Sequence, residues 1–240
     1  MLSDRRFRIA PLTATPQPQR TVWLAMHQDY SEGSVLDCDP PSEDRAGELV
    51  VNHLLAGERG HYGPLEHPQI TLATAGFPHS VMQQARTHRI ATFDVQSGRY
   101  TGLRVVSCAN DELPLEDVFY LRPVGTYRDR QGKRYDYTAA QREADLFDCR
   151  QAARRYAEKI ELGYSEEHAR GLLPFDFRQN FVVSFNLRSA FHFMDLRAKA
   201  DAQPEIQAFC HLMWPVLSSW VPRITSWYER TRLHKGRLAP

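Results

Sequence analysis

The residues of this chain best equipped for chemistry concentrate in one stretch, Gln83 to Tyr100. It carries Arg86, Arg89 and Arg99, a histidine at 88, three Gln and the pair Ser97-Gly98. Its apolar residues follow neither period 3.6 nor period 2, so filling a core does not account for it. Gly98, between Ser97 and Arg99, has no Cβ and lets the backbone approach an anion closely. A serine hydroxyl, a backbone N–H and an arginine fork together suit a phosphate. A solvated basic loop is the alternative reading of the same composition.

Three other segments carry polar groups at defined spacing. Gly60-His61-Tyr62-Gly63-Pro64-Leu65-Glu66-His67 is turn-rich, and its two histidines match no common metal-ligand pattern, so no metal is expected. Glu66-His67 either caps the following strand or faces a ligand. The second segment is Ser165-Glu166-Glu167-His168-Ala169-Arg170-Gly171-Leu172-Leu173-Pro174. The third runs from Asn186 through Arg188, His192 and Arg197 to Ala202-Gln203 and Glu205-Ile206. On a regular helix Arg188 and His192 share a face, whereas Arg197 lies roughly opposite Arg188. If both arginines bind ligand, the helix serves two surfaces or two copies of a site. If not, one of them is a surface charge.

His88-Arg89, seven residues, then Ser97-Gly98-Arg99-Tyr100 resembles the signature of the flavin-dependent thymidylate synthases, Arg-His-Arg, seven residues, Ser. Two positions depart from it. Thr87 stands where the commonest form has its first Arg, with Arg86 one residue earlier, and Val95 replaces an acidic residue that many members carry. The other three segments are similar to the family's Gly-His…Pro…Glu-His, Ala-Arg…Leu-Pro and Asn-x-Arg-Ser…Leu-Arg…Ala-Gln-x-Glu-Ile elements, in the same order. The resemblance covers roughly residues 60–207.

The resemblance implies an FAD-dependent methylation of dUMP to dTMP, with 5,10-methylenetetrahydrofolate as carbon donor and NADPH as reductant. It implies that Arg197 is the catalytic group, favouring the ionised uracil ring near N3. Gln84, Thr87, Ser97, Gly98, Arg99 and Arg170, with Arg197, would contact dUMP. His67, Thr87, His88, Arg89, Asn186, Arg188 and His192 would line FAD. It further implies a homotetramer with sites shared between subunits. None of Cys38, Cys108, Cys149 and Cys210 stands in the Pro-Cys-Gln setting of the ordinary thymidylate synthases, which fits a flavin route. Ser97 has no evident His–Asp pair to activate it and reads as a ligand-binding hydroxyl. An inactive flavoprotein homologue and a nucleotide- or RNA-binding module remain the alternatives.

The bulk properties agree. The chain has 240 residues and a formal charge of +1, which speaks against nucleic-acid and membrane-surface binding and favours a small anionic ligand. The cysteines are far apart, so neither a zinc ribbon nor a disulfide framework is expected. A reducing cytoplasm is the natural setting. The first residues open no signal peptide, and no run is long enough to span a bilayer.

These groups must be positioned by a mixture of strands and helices without βαβ repetition. That pattern predicts an α+β fold in one domain over 1–240, and the resemblance adds the fold of the flavin-dependent thymidylate synthases, a mainly antiparallel sheet flanked by helices. Strands are expected over Phe7–Leu12, stopped by prolines, over Ile70–Ala75 and over Leu103–Ser107. Helices are expected over Thr21–Tyr30, from the Ser42 cap to about Leu55, and from Ser80 to about Arg86. A long amphipathic helix follows over Tyr137–Gly163, with Phe147, Ala152, Tyr156 and Ile160 packed, and another starts at Pro204. His53 reads as boundary packing. Residues 111–135 are polar and Gly/Pro-punctuated, a candidate mobile insertion, and 223–240 reads as a loose basic tail.

Overall fold

The structure, a computed structural model, describes residues 2–57, 60–129 and 131–235. Strands β1 (Arg8–Ala14), β2 (Gln69–Pro78), β3 (Thr92–Val95) and β6 (Arg178–Asn186) form an antiparallel sheet in the order β1-β2-β6-β3. A separate hairpin pairs β4 (Gly125–Arg128) with β5 (Arg134–Tyr137). The helices are α1 (Pro18–Tyr30), α2 (Glu43–Val50), α3 (His79–Ala85), α4 (Leu103–Ala109) and α5 (Leu115–Val118), then α6 (Ala139–Glu161), α7 (Glu166–Ala169), α8 (Leu187–Arg197), α9 (Pro204–Trp220) and α10 (Pro222–Thr231). This is the α+β arrangement the sequence implied.

Alternation sets the buried face of the sheet. Phe181, Val183 and Phe185 of β6 point inward beside Ile70 and Leu72 of β2. Helices α8 and α9 close over them: Phe193 meets Phe185 at 5.4 Å between ring centres, and Phe209 meets Phe77 at 5.0 Å. Each such fully buried ring contributes about 1.5–3 kcal/mol relative to exposure. A second apolar cluster joins Val105 and Cys108 of α4, Leu115 and Val118 of α5, and Cys149, Ala153 and Tyr156 of α6.

Several expectations are revised. Strand β1 runs through Pro11 to Ala14 because it lies at the sheet edge, where a missing N–H is tolerated, and its register shifts between Pro11 and Thr13. Leu103–Ser107 is the body of helix α4, not a strand: Val105 and Cys108, three apart, face the second cluster. Part of the polar opening stretch is itself a strand, β3, with Phe93 and Val95 turned toward the core. Phe147 is exposed on α6, whereas Tyr156 is buried and Ile160 packs against the second cluster as expected, beside the buried Cys149 and Ala153.

The candidate insertion at 111–135 contains α5, part of the hairpin and the buried residues Leu115, Val118, Phe119 and Tyr120. It is tied to α9 by Arg122, whose Nε and Nη2 donate to Glu205 at 2.7 and 3.1 Å. Most of the expected tail is also structured, since α10 buries Ile224, Thr225, Trp227 and Tyr228; Arg237 lies outside the described residues. The Ser42 cap is where the sequence put it, accepting from the Arg45 N–H, and a π-turn over Val51–Leu55 continues α2.

Candidate functional site

Helix α3 ends in two tight turns, with the Thr87 N–H donating to the Gln84 carbonyl and the His88 N–H to that of Ala85. They carry Arg86, Thr87, His88 and Arg89 back over α8, where Ser189 Oγ donates to the Ile90 carbonyl at 3.1 Å. Asn186 caps α8 by accepting from the Ser189 N–H at 2.7 Å. The cap fixes where the helix begins, and so which of its residues face the turn.

Arg197, the last residue of α8, is held by that turn. Its Nε donates to His88 Nε2 at 2.9 Å, and its Nη2 donates to Thr87 Oγ1 at 2.9 Å and to the Gln84 carbonyl at 3.2 Å. Among the described residues nothing accepts from Nη1, so that arm of the fork is available to a ligand. Burial, then the Arg197 charge, then His192 lower the His88 pKa to about 4. His88 is therefore neutral at physiological pH. It packs against Phe193 at 4.8 Å and meets the edge of His192 at 5.7 Å between ring centres.

Toward the start of α8, Arg188 pairs with Glu66 at 2.5 Å, which brings it beside the turn that holds the exposed His67. Glu66 thus binds Arg188 rather than capping the strand. Arg188 and Arg197 do meet different neighbours, as their spacing on the helix requires. Arg89 is exposed and makes no ion pair among the described residues.

A cleft of about 540 Å³ opens where the two apolar clusters meet. Ser97 and Gly98 follow β3 on one side, and Arg170, in a single turn after α7, faces them. A Cβ on Gly98 would stand 3.4 Å from Arg170 Cδ and 3.6 Å from its Nη1. Glycine thus leaves an opening between its backbone and that guanidinium. Arg99 lies outside the lining: it pairs with Glu167 and stacks over Tyr100. Gln84 is also outside it, donating to Gln203. Arg197 does not line the cleft, so within one chain the expected nucleotide ligands fall into two groups.

Apart from Arg86 and Gln96, the sequence did not single out the polar residues of the inner wall. Helix α4 supplies Arg104, whose Nη2 donates to the Arg178 carbonyl at 2.7 Å, α3 supplies His79, and the turn after it Arg86. Five side chains there carry a buried polar atom with no partner among the described residues: His79 Nδ1, Gln96 Oε1, Arg104 Nε, Tyr156 Oη and Gln179 Oε1. Burying such groups dry is costly, so the wall is suited to a polar ligand. The signal for Gln179 was a polar run, Arg178-Gln179-Asn180, at the start of β6 ahead of Phe181, Val182 and Val183. Arg104 was hidden once its segment was taken for a strand.

No poised thiol is present at either group. Burial pushes the Cys108 and Cys149 thiols up to about 11 and raises Cys210 further. Ser97 Oγ accepts from the Arg99 N–H at 3.3 Å, a local turn contact. Among the described residues no three His, Cys, Asp or Glu side chains converge as metal ligands, and no helix is long and apolar enough to cross a membrane.

Residues 12–223 match the family model described as Thymidylate synthase complementing protein. A relative from Haloarcula marismortui named flavin-dependent thymidylate synthase is 34% identical, over 95% of this chain and 98% of its own. One of the same name from Halobacterium salinarum is 34% identical, over 97% and 100%. Two solved structures share the fold. The UMP/dUMP methylase PolB from Streptomyces cacaoi, bound with 5-Br dUMP, superposes with a TM-score of 0.74 at 19% identity, covering 100% of this chain and 99% of that one. Thymidylate Synthase X from Helicobacter pylori, with FAD and dUMP, gives 0.65 at 19% identity over 91% and 96%.

Proposed function

The chain belongs to the thymidylate synthase complementing protein family, and from that premise we propose that it is an FAD-dependent thymidylate synthase. It is a methyltransferase that converts dUMP to dTMP, taking its carbon from 5,10-methylenetetrahydrofolate and its reducing equivalents from NADPH. The observation that carries this reading is the Arg197 fork, fixed by His88, Thr87 and the Gln84 carbonyl with Nη1 left over.

Methyl transfer to carbon 5 needs an electron-rich uracil. A guanidinium held beside uracil N3 and its neighbouring carbonyl favours the ionised ring, and preorganisation spares the cost of turning the charge during reaction. His88 serves this by staying neutral: an imidazolium would have no lone pair for the Arg197 Nε–H and would repel the guanidinium. The raised thiols of Cys108, Cys149 and Cys210 support a route without a covalent cysteine adduct.

The nucleotide phosphate is assigned to Ser97, Gly98 and Arg170, with Arg99 reaching in once released from Glu167. Gln84 joins on the Arg197 side. The donor set around α8 fits FAD: Arg89 and Arg188 for its phosphates, and Asn186, His67, His88 and His192 for polar ring and sugar groups, with Thr87 beside them. Bound FAD supplies the redox and carbon-relay chemistry that no side chain here can provide. The separation of Arg197 from the Ser97–Arg170 cleft supports sites assembled between copies of the chain, a homotetramer. The four free cysteines support a cytoplasmic setting.

The test is to purify the full chain, record its visible spectrum with added FAD, reduce it anaerobically with NADPH, and add dUMP with methylenetetrahydrofolate. A flavin that bleaches and a yield of dTMP support the reading. A protein that takes up no FAD contradicts it.

A further inference from the structure

We propose that Arg86 is an anion ligand of the Ser97–Arg170 cleft, and that its neighbour Thr87 is instead a positioning residue for Arg197. The two residues follow one another on the turn after α3 yet serve different groups. Arg86 lines the cleft with Ser97, Gly98 and Arg170; Thr87 does not. Thr87 Oγ1 donates to the Gln84 carbonyl at 2.7 Å and accepts from Arg197 Nη2 at 2.9 Å. Only a group that both donates and accepts can do this. An arginine at 87 has no acceptor and would set one guanidinium against another.

The cleft is built for negative charge. Three of its lining residues are arginines, Arg86, Arg104 and Arg170, and none is Asp or Glu. Val95 contributes a neutral side chain to the same wall. The Arg86 side chain is exposed and makes no hydrogen bond or ion pair among the described residues. The nearby His79 has its pKa lowered first by burial; the Asp176 carboxylate, which is not among the lining residues, raises it, and the Arg86 charge lowers it, so the Arg86 guanidinium is felt on this wall. The partnerless Arg104 Nε and Gln179 Oε1 extend the polar surface inward, and Gln179 is 3% exposed. A phosphate monoester between Gly98 and Arg170 therefore meets a second guanidinium from Arg86. Calling that phosphate the nucleotide's rests on the function proposed above; the anion site itself does not.

Arg86→Gln removes the charge from an exposed side chain and leaves the core intact. Calorimetric titration of the full chain would compare dUMP, uncharged deoxyuridine and inorganic phosphate. The expected result is weaker binding of dUMP and phosphate by about ten- to a hundredfold, with deoxyuridine unchanged. Wild-type affinity for both anions in Arg86→Gln overturns the assignment. If the wild type binds phosphate but not dUMP, and the variant loses phosphate, the nucleotide reading fails while the role of Arg86 stands. Binding of neither anion by the wild type overturns both. For Thr87→Ala the expected change is a lower kcat at unchanged KM for dUMP, restored by Thr87→Ser. A raised KM at unchanged kcat would make Thr87 a ligand and overturn its positioning role.

Discussion

Arg197 Nε donates to His88 Nε2 at 2.9 Å, which makes His88 an acceptor on that nitrogen and places its own proton on Nδ1. The pair is mutual. The guanidinium suppresses imidazole protonation, and the neutral imidazole orients the guanidinium. Replacing Arg197 by Ala should lower dTMP formation by at least about a hundredfold while FAD stays bound. The His88 pKa should rise from about 4 toward its ordinary 6.5, read by NMR titration of the ring. Full turnover by that variant would remove Arg197 from the chemistry.

The same histidine makes stability depend on pH. Its folded pKa of about 4 lies below the ordinary 6.5, so the unfolded chain binds the extra proton first on acidification. The contribution is fully present above 6.5 and is lost as pH falls toward 4. Urea midpoints measured down this range should fall, and His88→Gln should flatten part of the slope.

Gly98→Ala should fold normally, because the added methyl meets only the exposed Arg170 side chain, at 3.4 Å from Cδ and 3.6 Å from Nη1. It fills the space where the phosphate is expected. Nucleotide affinity should drop by about tenfold or more with stability changed by less than about 0.5 kcal/mol. Titration calorimetry and thermal melts separate the two effects.

Gly102 behaves differently. A Cβ there would collide with Tyr156 Oη, an atom with no hydrogen-bond partner on the cleft's inner wall. Gly102→Ala should cost about 1–3 kcal/mol in urea unfolding. Adding Tyr156→Phe should recover part of that cost, as a double-mutant cycle would show.

How far the sequence could be read depends on the kind of signal. Ser97 and Gly98 stood out by residue type, and Arg170 and the α8 residues by the family resemblance; the structure brings Ser97, Gly98 and Arg170 to one cleft. Gln83 to Tyr100 was read correctly as poor in periodicity, but four residues of strand are too short to register, so β3 was missed. Helix α4 was misread because Leu103, Val105 and Val106 favour a strand locally, while packing of Val105 and Cys108 against α6 decides for a helix. The roles of Arg86 and Thr87 were not legible at all. Adjacent residues on a turn diverge by side-chain direction, and that is set by what α8 and the cleft place opposite them.

Residues 111–135 illustrate the same limit, since Gly and Pro announce loops but not what anchors them. Glu205, 1% exposed, holds the segment through Arg122 and accepts from Tyr120 Oη at 3.0 Å. Burial raises the Glu205 carboxyl pKa, and the hydrogen bonds and charge of Arg122, with hydrogen bonds from Gln203 and the backbone, together bring it below its usual range. Arg122→Met should destabilise by about 3–5 kcal/mol, because a buried carboxylate loses its counter-charge. Arg122→Met with Glu205→Leu should recover much of it. Chemical denaturation of the single and double variants checks both statements.

The most direct question is whether this chain makes dTMP with a bound flavin. Supplying methylenetetrahydrofolate labelled at its methylene carbon, with dUMP, NADPH and FAD, and weighing the nucleotide product by mass spectrometry tests that directly. The expected product is labelled dTMP, which disappears when either FAD or NADPH is left out. Unlabelled dUMP recovered unchanged from an FAD-loaded, NADPH-reduced protein would contradict the proposed function.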